Sequence, residues 1–84
     1  MHPVLVYVWR VPSTVAYAAI MVRYRRKLAG MSLTSLALEL GITVAQLRSY
    51  EEAQEPIPPS VLSRMAELLD CSVTEFFTEA PKLH

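Results

Sequence analysis

This 84-residue chain has no net charge: eight Lys and Arg stand against eight Asp and Glu. Global electrostatics therefore steers it toward neither nucleic acid nor acidic lipid, and any steering must come from how the charges are distributed. Cys71 is the single cysteine. One thiol cannot close an internal disulfide or hold zinc alone, so it reads as a small buried hydrophobe suited to a reducing cytosol. Only two glycines occur, Gly30 and Gly41, and no glycine-rich phosphate loop is present. His2 and His84 lie at the ends, far from any Ser/His/Asp, Cys/His or metal-ligand spacing. The expectation is a protein with no catalytic residues, no metal and no cofactor, and hence not an enzyme.

A long apolar run is also missing. The first 22 residues are apolar, but Arg10 and Pro12-Ser13-Thr14 cut them into pieces too short to span a bilayer, and no basic region precedes them. A cytoplasmic protein is expected. Hydrophobic residues still make up 52% of the sequence, more than a fully wetted surface needs, which points to an interface. A chain this short also has a marginal core, which favours self-association.

What is present divides into an arm at 1–12, a domain at 13–78 and a tail at 79–84. Val4 to Val11 is rich in β-branched and aromatic residues and reads as a strand. No other segment reads as a strand, so its backbone groups need a partner from outside the chain. The same strand of a second copy would satisfy them, with Leu5, Tyr7 and Trp9 on one face and Val4, Val6 and Val8 on the other. The alternative is an arm packed on its own helices, with dimerisation left to the last helices.

Ser13 or Thr14 can cap a helix running to about Ala29, with Val15, Ala19, Val22 and Leu28 inward and Arg23, Arg25, Arg26 and Lys27 in its last turns. Ser32 caps Leu33 to Leu40, Gly41 ends that helix, and Thr43 caps Val44 to about Glu52. After the rigid "EPIPP" turn, Ser60 caps Val61 to Leu69, with Leu62, Met65, Ala66 and Leu69 at core spacing. Ser72-Val73-Thr74-Glu75 has the capping-box pattern and predicts a fifth short helix holding Phe76 and Phe77, of which at least one is core.

The spacing in Leu33 to Tyr50 is the most specific signal. Leu36, Ala37 and Leu40 face inward, Gly41 makes a left-handed turn, Ile42 plugs the corner, and Leu47 and Tyr50 face inward from the second helix. Small Ala37 allows two helices to cross steeply. On "RRKLAGMSLTSLALELGITVAQLRSYE", a proline-containing turn and "VLSRMAELLDCSVTEFF", the chain from Val22 to Phe77 resembles the phage-repressor or Cro-like (XRE) helix-turn-helix family. The resemblance covers roughly two-thirds of the sequence.

That resemblance implies a mainly α, five-helix domain that binds double-stranded operator DNA as a homodimer, with the helix after Gly41 in the major groove. It places Ser32 and Thr43 at phosphates, and Val44, Ala45 and Ser49 at base edges, with Gln46 and Arg48 flanking them. It also implies an ion pair between Arg26 and Glu51 that orients the recognition helix and does not touch DNA. Base readout would use hydrogen bonds from Gln46 and Arg48, with Val44 and Ala45 against thymine methyls. Two positions depart from the family: Leu33 stands where many members carry glutamine, and an acidic Glu52-Ala53-Gln54-Glu55 stands where Gly with Lys or Arg is common. The implied function is a sequence-specific transcriptional regulator, most simply a repressor on a pseudo-palindromic operator. The alternative is an antitoxin or adaptor that uses the fold to bind protein.

Overall fold

In the computed structural model, residues 13–77 are described. They form α1 (Ser13–Leu28), α2 (Leu33–Leu40), α3 (Val44–Glu51) and α4 (Pro59–Leu69), followed by one 3-10 turn, Val73–Phe76. The five-helix expectation with an added strand is therefore corrected: among the described residues there are four α-helices and no strand. The strand assigned to Val4 through Val11 lies outside them.

The fifth helix stops at a single turn for a reason visible in its side chains. Ser72 accepts from the N–H of Thr74, and Glu75 does not reach back to close the capping box. Its carboxylate instead accepts from Nε of Arg25 at 2.9 Å, 50 residues away, and also pairs with Nη2 of the same guanidinium. An ion pair to α1 displaced the local cap, and the segment keeps 3-10 geometry.

Each helix ends by one device: a residue in the left-handed region whose successor's N–H reaches back across the last turn. Gly30 has φ 71° and Gly41 φ 75°, but Ala53 (58°) and Asp70 (57°) do the same without being glycine. The closing bonds are Met31 N to Arg26 O (3.0 Å), Ile42 N to Ala37 O (3.0 Å), Gln54 N to Ser49 O (2.9 Å) and Cys71 N to Ala66 O (3.0 Å). A methyl group at Gly41 would meet nothing within 4 Å, so only the backbone conformation resists a side chain there. Gly41→Ala should cost about 1 kcal/mol in urea unfolding, the expense of a left-handed non-glycine residue without a clash.

The helix starts follow local chemistry too. Ser32 and Ser35 form a reciprocal cap, Ser35 N to Ser32 Oγ at 3.0 Å and Ser32 N to Ser35 Oγ at 3.2 Å. Thr43 Oγ1 accepts from Gln46 N at 3.0 Å. α4 begins one residue before the expected Ser60 cap: Pro59 occupies the first helical position, where a missing N–H costs nothing, and no side chain caps it.

The core is closed by Val22, Leu36, Leu47, Met65 and Phe76, each under 2% exposed. Leu62, Ala66 and Leu69 join from α4, and Ala37 and Tyr50 from α2 and α3. The 3-10 turn packs on both α1 and α4, and α1 also touches α3, so the first and last described elements brace the α2–α3 unit. Leu28 is not inward as expected; it is 60% exposed, in a stripe with Ile20 and Tyr24. The position one turn beyond Val22 is taken by Arg26, which is buried. No helix among the described residues is long and apolar enough to cross a membrane.

Candidate nucleic-acid interface

α2 and α3 pack on each other through the Gly41 turn, and Ala37, whose carbonyl closes that turn, is 1% exposed. α3 then has two tasks on two faces. Its inner face gives Leu47 and Tyr50 to the core and Glu51 to an ion pair; its outer face presents exposed Ala45 and Arg48 with half-buried Val44, Gln46 and Ser49. The 3.6-residue period separates the two sets.

The ion pair fixes α3 to α1. Arg26 Nε donates to Glu51 Oε2 at 2.7 Å and Nη2 to Oε1 at 2.9 Å, a parallel fork with side chains only 8% and 5% exposed. Nη1 donates to the carbonyl oxygen of Met31 at 2.8 Å, tying the same guanidinium to the loop that enters α2. One side chain therefore holds α3, α1 and the start of α2. The carboxylate's hydrogen bonds raise the already high pKa of Arg26 further.

Beside this pair lies a recess of about 180 Å³ lined by Arg23, Arg26, Leu33, Arg48, Glu51 and Glu52. With Arg26 and Glu51 neutralising each other, its rim carries Arg23 and Arg48 against Glu52. Arg23 and Arg48 are both exposed, and neither makes an ion pair among the described residues. α2 starts at the same recess: exposed Ser32 caps the N–H of Ser35, while the N–H groups of Leu33 and Thr34 are the ones a helix start leaves without intrahelical partners. Two arginines and a helix start converge here, an arrangement that favours an anion.

The outer face of α3 is not left to solvent alone. Gln46 Nε2 donates to Glu55 Oε2 at 2.8 Å, and Ser49 Oγ donates to Gln54 Oε1 at 3.3 Å. The acidic turn thus folds back along the face that carries the recognition positions. Arg23, Gln54 and Glu55 were not singled out from the sequence as site residues. The sequence hint for the turn is the acidic departure from the family at Glu52-Ala53-Gln54-Glu55, and for Arg23 its place in the basic run of α1. The expected interface residues Val4, Leu5, Val6, Tyr7, Val8 and Trp9 lie outside the described residues.

Cys71 sits half-buried near the Arg25–Glu75 pair, and burial, helped by the charge of Glu75, pushes its thiol up from the ordinary range. A protonated, partly buried thiol is a packing group. Among the described residues no cluster of His, Cys, Asp and Glu could hold a metal ion.

Comparison with known proteins agrees with this geometry. Residues 22–76 match the family described as "Helix-turn-helix". Two uncharacterized HTH-type transcriptional regulators, from Sinorhizobium medicae and Rhizobium meliloti, are each 37% identical over 60 residues, covering 71% of this chain and 43% of the relative. The chain thus spans less than half the length of those relatives. Among solved structures, the restriction-modification controller protein C.AhdI from Aeromonas hydrophila shares the fold, with a TM-score of 0.71 over 77% of this chain and 98% of that one, at 22% identity.

Proposed function

The chain belongs to the XRE-type helix-turn-helix family, and on that premise we propose that it is a DNA-binding transcriptional regulator that lays α3 in the major groove of an operator. The observation that carries this reading is α3 itself: an inner face locked by the Arg26–Glu51 fork and an outer face of small and polar side chains. Small Val44 and Ala45 let the helix approach thymine methyls, and Gln46, Arg48 and Ser49 supply hydrogen bonds to base edges. Phosphates are met at the recess by Arg23, Arg48 and the start of α2 at Ser32, and by Thr43 at the start of α3. This set holds two cations, Arg23 and Arg48, so one half-site binds weakly. A homodimer on a pseudo-palindromic site, with recognition helices about 34 Å apart, supplies the doubling. Occupying such a site in the cytoplasm is enough to repress.

Selection of bound duplexes from a random pool tests the reading. The expected result is a two-fold related pair of half-sites one helical turn apart. A salt titration on the selected duplex should give log K falling with log salt at a shallow slope, on the order of −4, since few phosphates are neutralised. Arg48→Ala and Arg23→Ala should each flatten that slope by about 1 per half-site occupied. If no duplex binds even at low salt, the DNA reading fails. The second reading, a protein-binding module, then takes over, favoured by the acidic turn that already engages Gln46 and Ser49.

A further inference from the structure

The turn after α3 is built to return along it. Ala53 takes the left-handed conformation, its N–H reaches Tyr50 O at 3.1 Å, and Gln54 N reaches Ser49 O at 2.9 Å. That closure reverses the chain and brings Gln54 and Glu55 beside the outward side chains of α3, where they meet Ser49 and Gln46.

A glutamine amide is ambiguous to a base: it can present its oxygen as an acceptor or its NH2 as a donor, and in water it rotates between the two. A carboxylate removes the ambiguity, because it only accepts. Glu55 can hold Gln46 solely through an N–H, so Oε1 must point away from Glu55, and one N–H remains beside it for another partner. An acceptor and a donor held side by side match N6–H and N7 on the major-groove edge of adenine. We propose that Glu55 is a specificity-determining positioning residue, which sets the amide of Gln46 to read adenine. This inference rests on the DNA-binding reading.

The same carboxylate has an opposite effect on affinity. Its charge lies in the turn adjoining the recognition helix, where phosphates repel it whatever the base sequence. Glu55 therefore weakens binding to every duplex while sharpening the choice among them. Affinity and specificity should separate when it is changed.

The test is duplex selection and competition with the wild type, Gln46→Ala, Glu55→Gln and Glu55→Ala, with thermal unfolding of each. Gln46→Ala marks the base pair that Gln46 reads, at which the wild type should prefer adenine by about tenfold or more. Glu55→Gln loses the charge and can donate to Gln46 as well as accept from it, which restores the ambiguity; it should bind all duplexes more tightly and lose part of the preference. Glu55→Ala loses charge and acceptor together; it should bind more tightly, with its preference reduced toward the floor that Gln46→Ala sets. All should melt together, since Glu55 is exposed. Glu55→Ala or Glu55→Gln keeping the wild-type preference overturns the positioning role. So does a wild type that binds duplexes with no preference for adenine at the marked pair. A wild type that binds no duplex removes the parent reading, and the positioning role with it.

Discussion

Glu51→Ala should lower the unfolding free energy by about 3 kcal/mol, the lower part of the range for breaking a buried ion pair. The loss is large because the substitution leaves the Arg26 guanidinium inside the fold with only the Met31 carbonyl to hold it. It is not larger because the pair forms one wall of a recess open at its rim, so water can reach the orphaned charge. Arg26→Ala should cost a similar amount by stranding Glu51. The informative variant is the double one: Arg26→Met with Glu51→Leu removes both charges and refills the volume, and should recover most of the lost stability. Urea unfolding of the wild type, the two alanine variants and the refilled double variant measures the recovery. If stability returns while selected-duplex binding does not, the fork's value lies in fixing the angle at which α3 leaves α1. Recovery of both would assign that angle to packing by Leu47 and Tyr50 alone.

What the sequence made legible here is what neighbouring residues decide among themselves. Ser32 and Thr43 cap their helices because an oxygen three residues ahead of an unpaired N–H is a local event, and Gly41 turns because nothing but its own backbone is involved. Leu62, Met65, Ala66 and Leu69 are buried because their spacing matches one helical face. One misreading involves a distant partner. Glu75 looked like the second half of a cap but had Arg25 available; Leu28, six residues past Val22, lies off the inward face, on which the place one turn beyond Val22 falls to Arg26. Ala53 and Asp70 gave no sign of left-handed backbone, since neither is glycine. In the candidate site, helical period alone separates the outward residues of α3 from Leu47 and Tyr50. The recess with Arg23, and the hold of Glu55 on Gln46, exist only once α1 and the returning turn are placed beside α3.

Phe76→Ala should leave the domain largely unfolded at 25 °C. Among the described residues Phe76 is the largest fully buried side chain, at 0% exposure, and removing a buried phenyl ring costs about 3–5 kcal/mol. A core of this size supplies no more than about that much net stability. Its place in the fold adds to the effect: the 3-10 turn has too few hydrogen bonds to persist alone, and Phe76 is the anchor by which it packs on α1 and α4. Without the anchor, Glu75 is freed from Arg25, and α1 loses one of the two supports that set it against α3. Phe77→Ala is the control. That ring is 51% exposed and only borders a recess of about 150 Å³ with Val15, Ala18, Ile57 and Leu62, so its loss should cost about 1 kcal/mol or less. Far-UV circular dichroism through a urea titration separates the two: a baseline already unfolded without urea for Phe76→Ala, and a small shift in midpoint for Phe77→Ala. Equal, small shifts would mean that α1 and α4 hold together without the turn, and that the bracing of α3 rests on the Arg26–Glu51 fork alone.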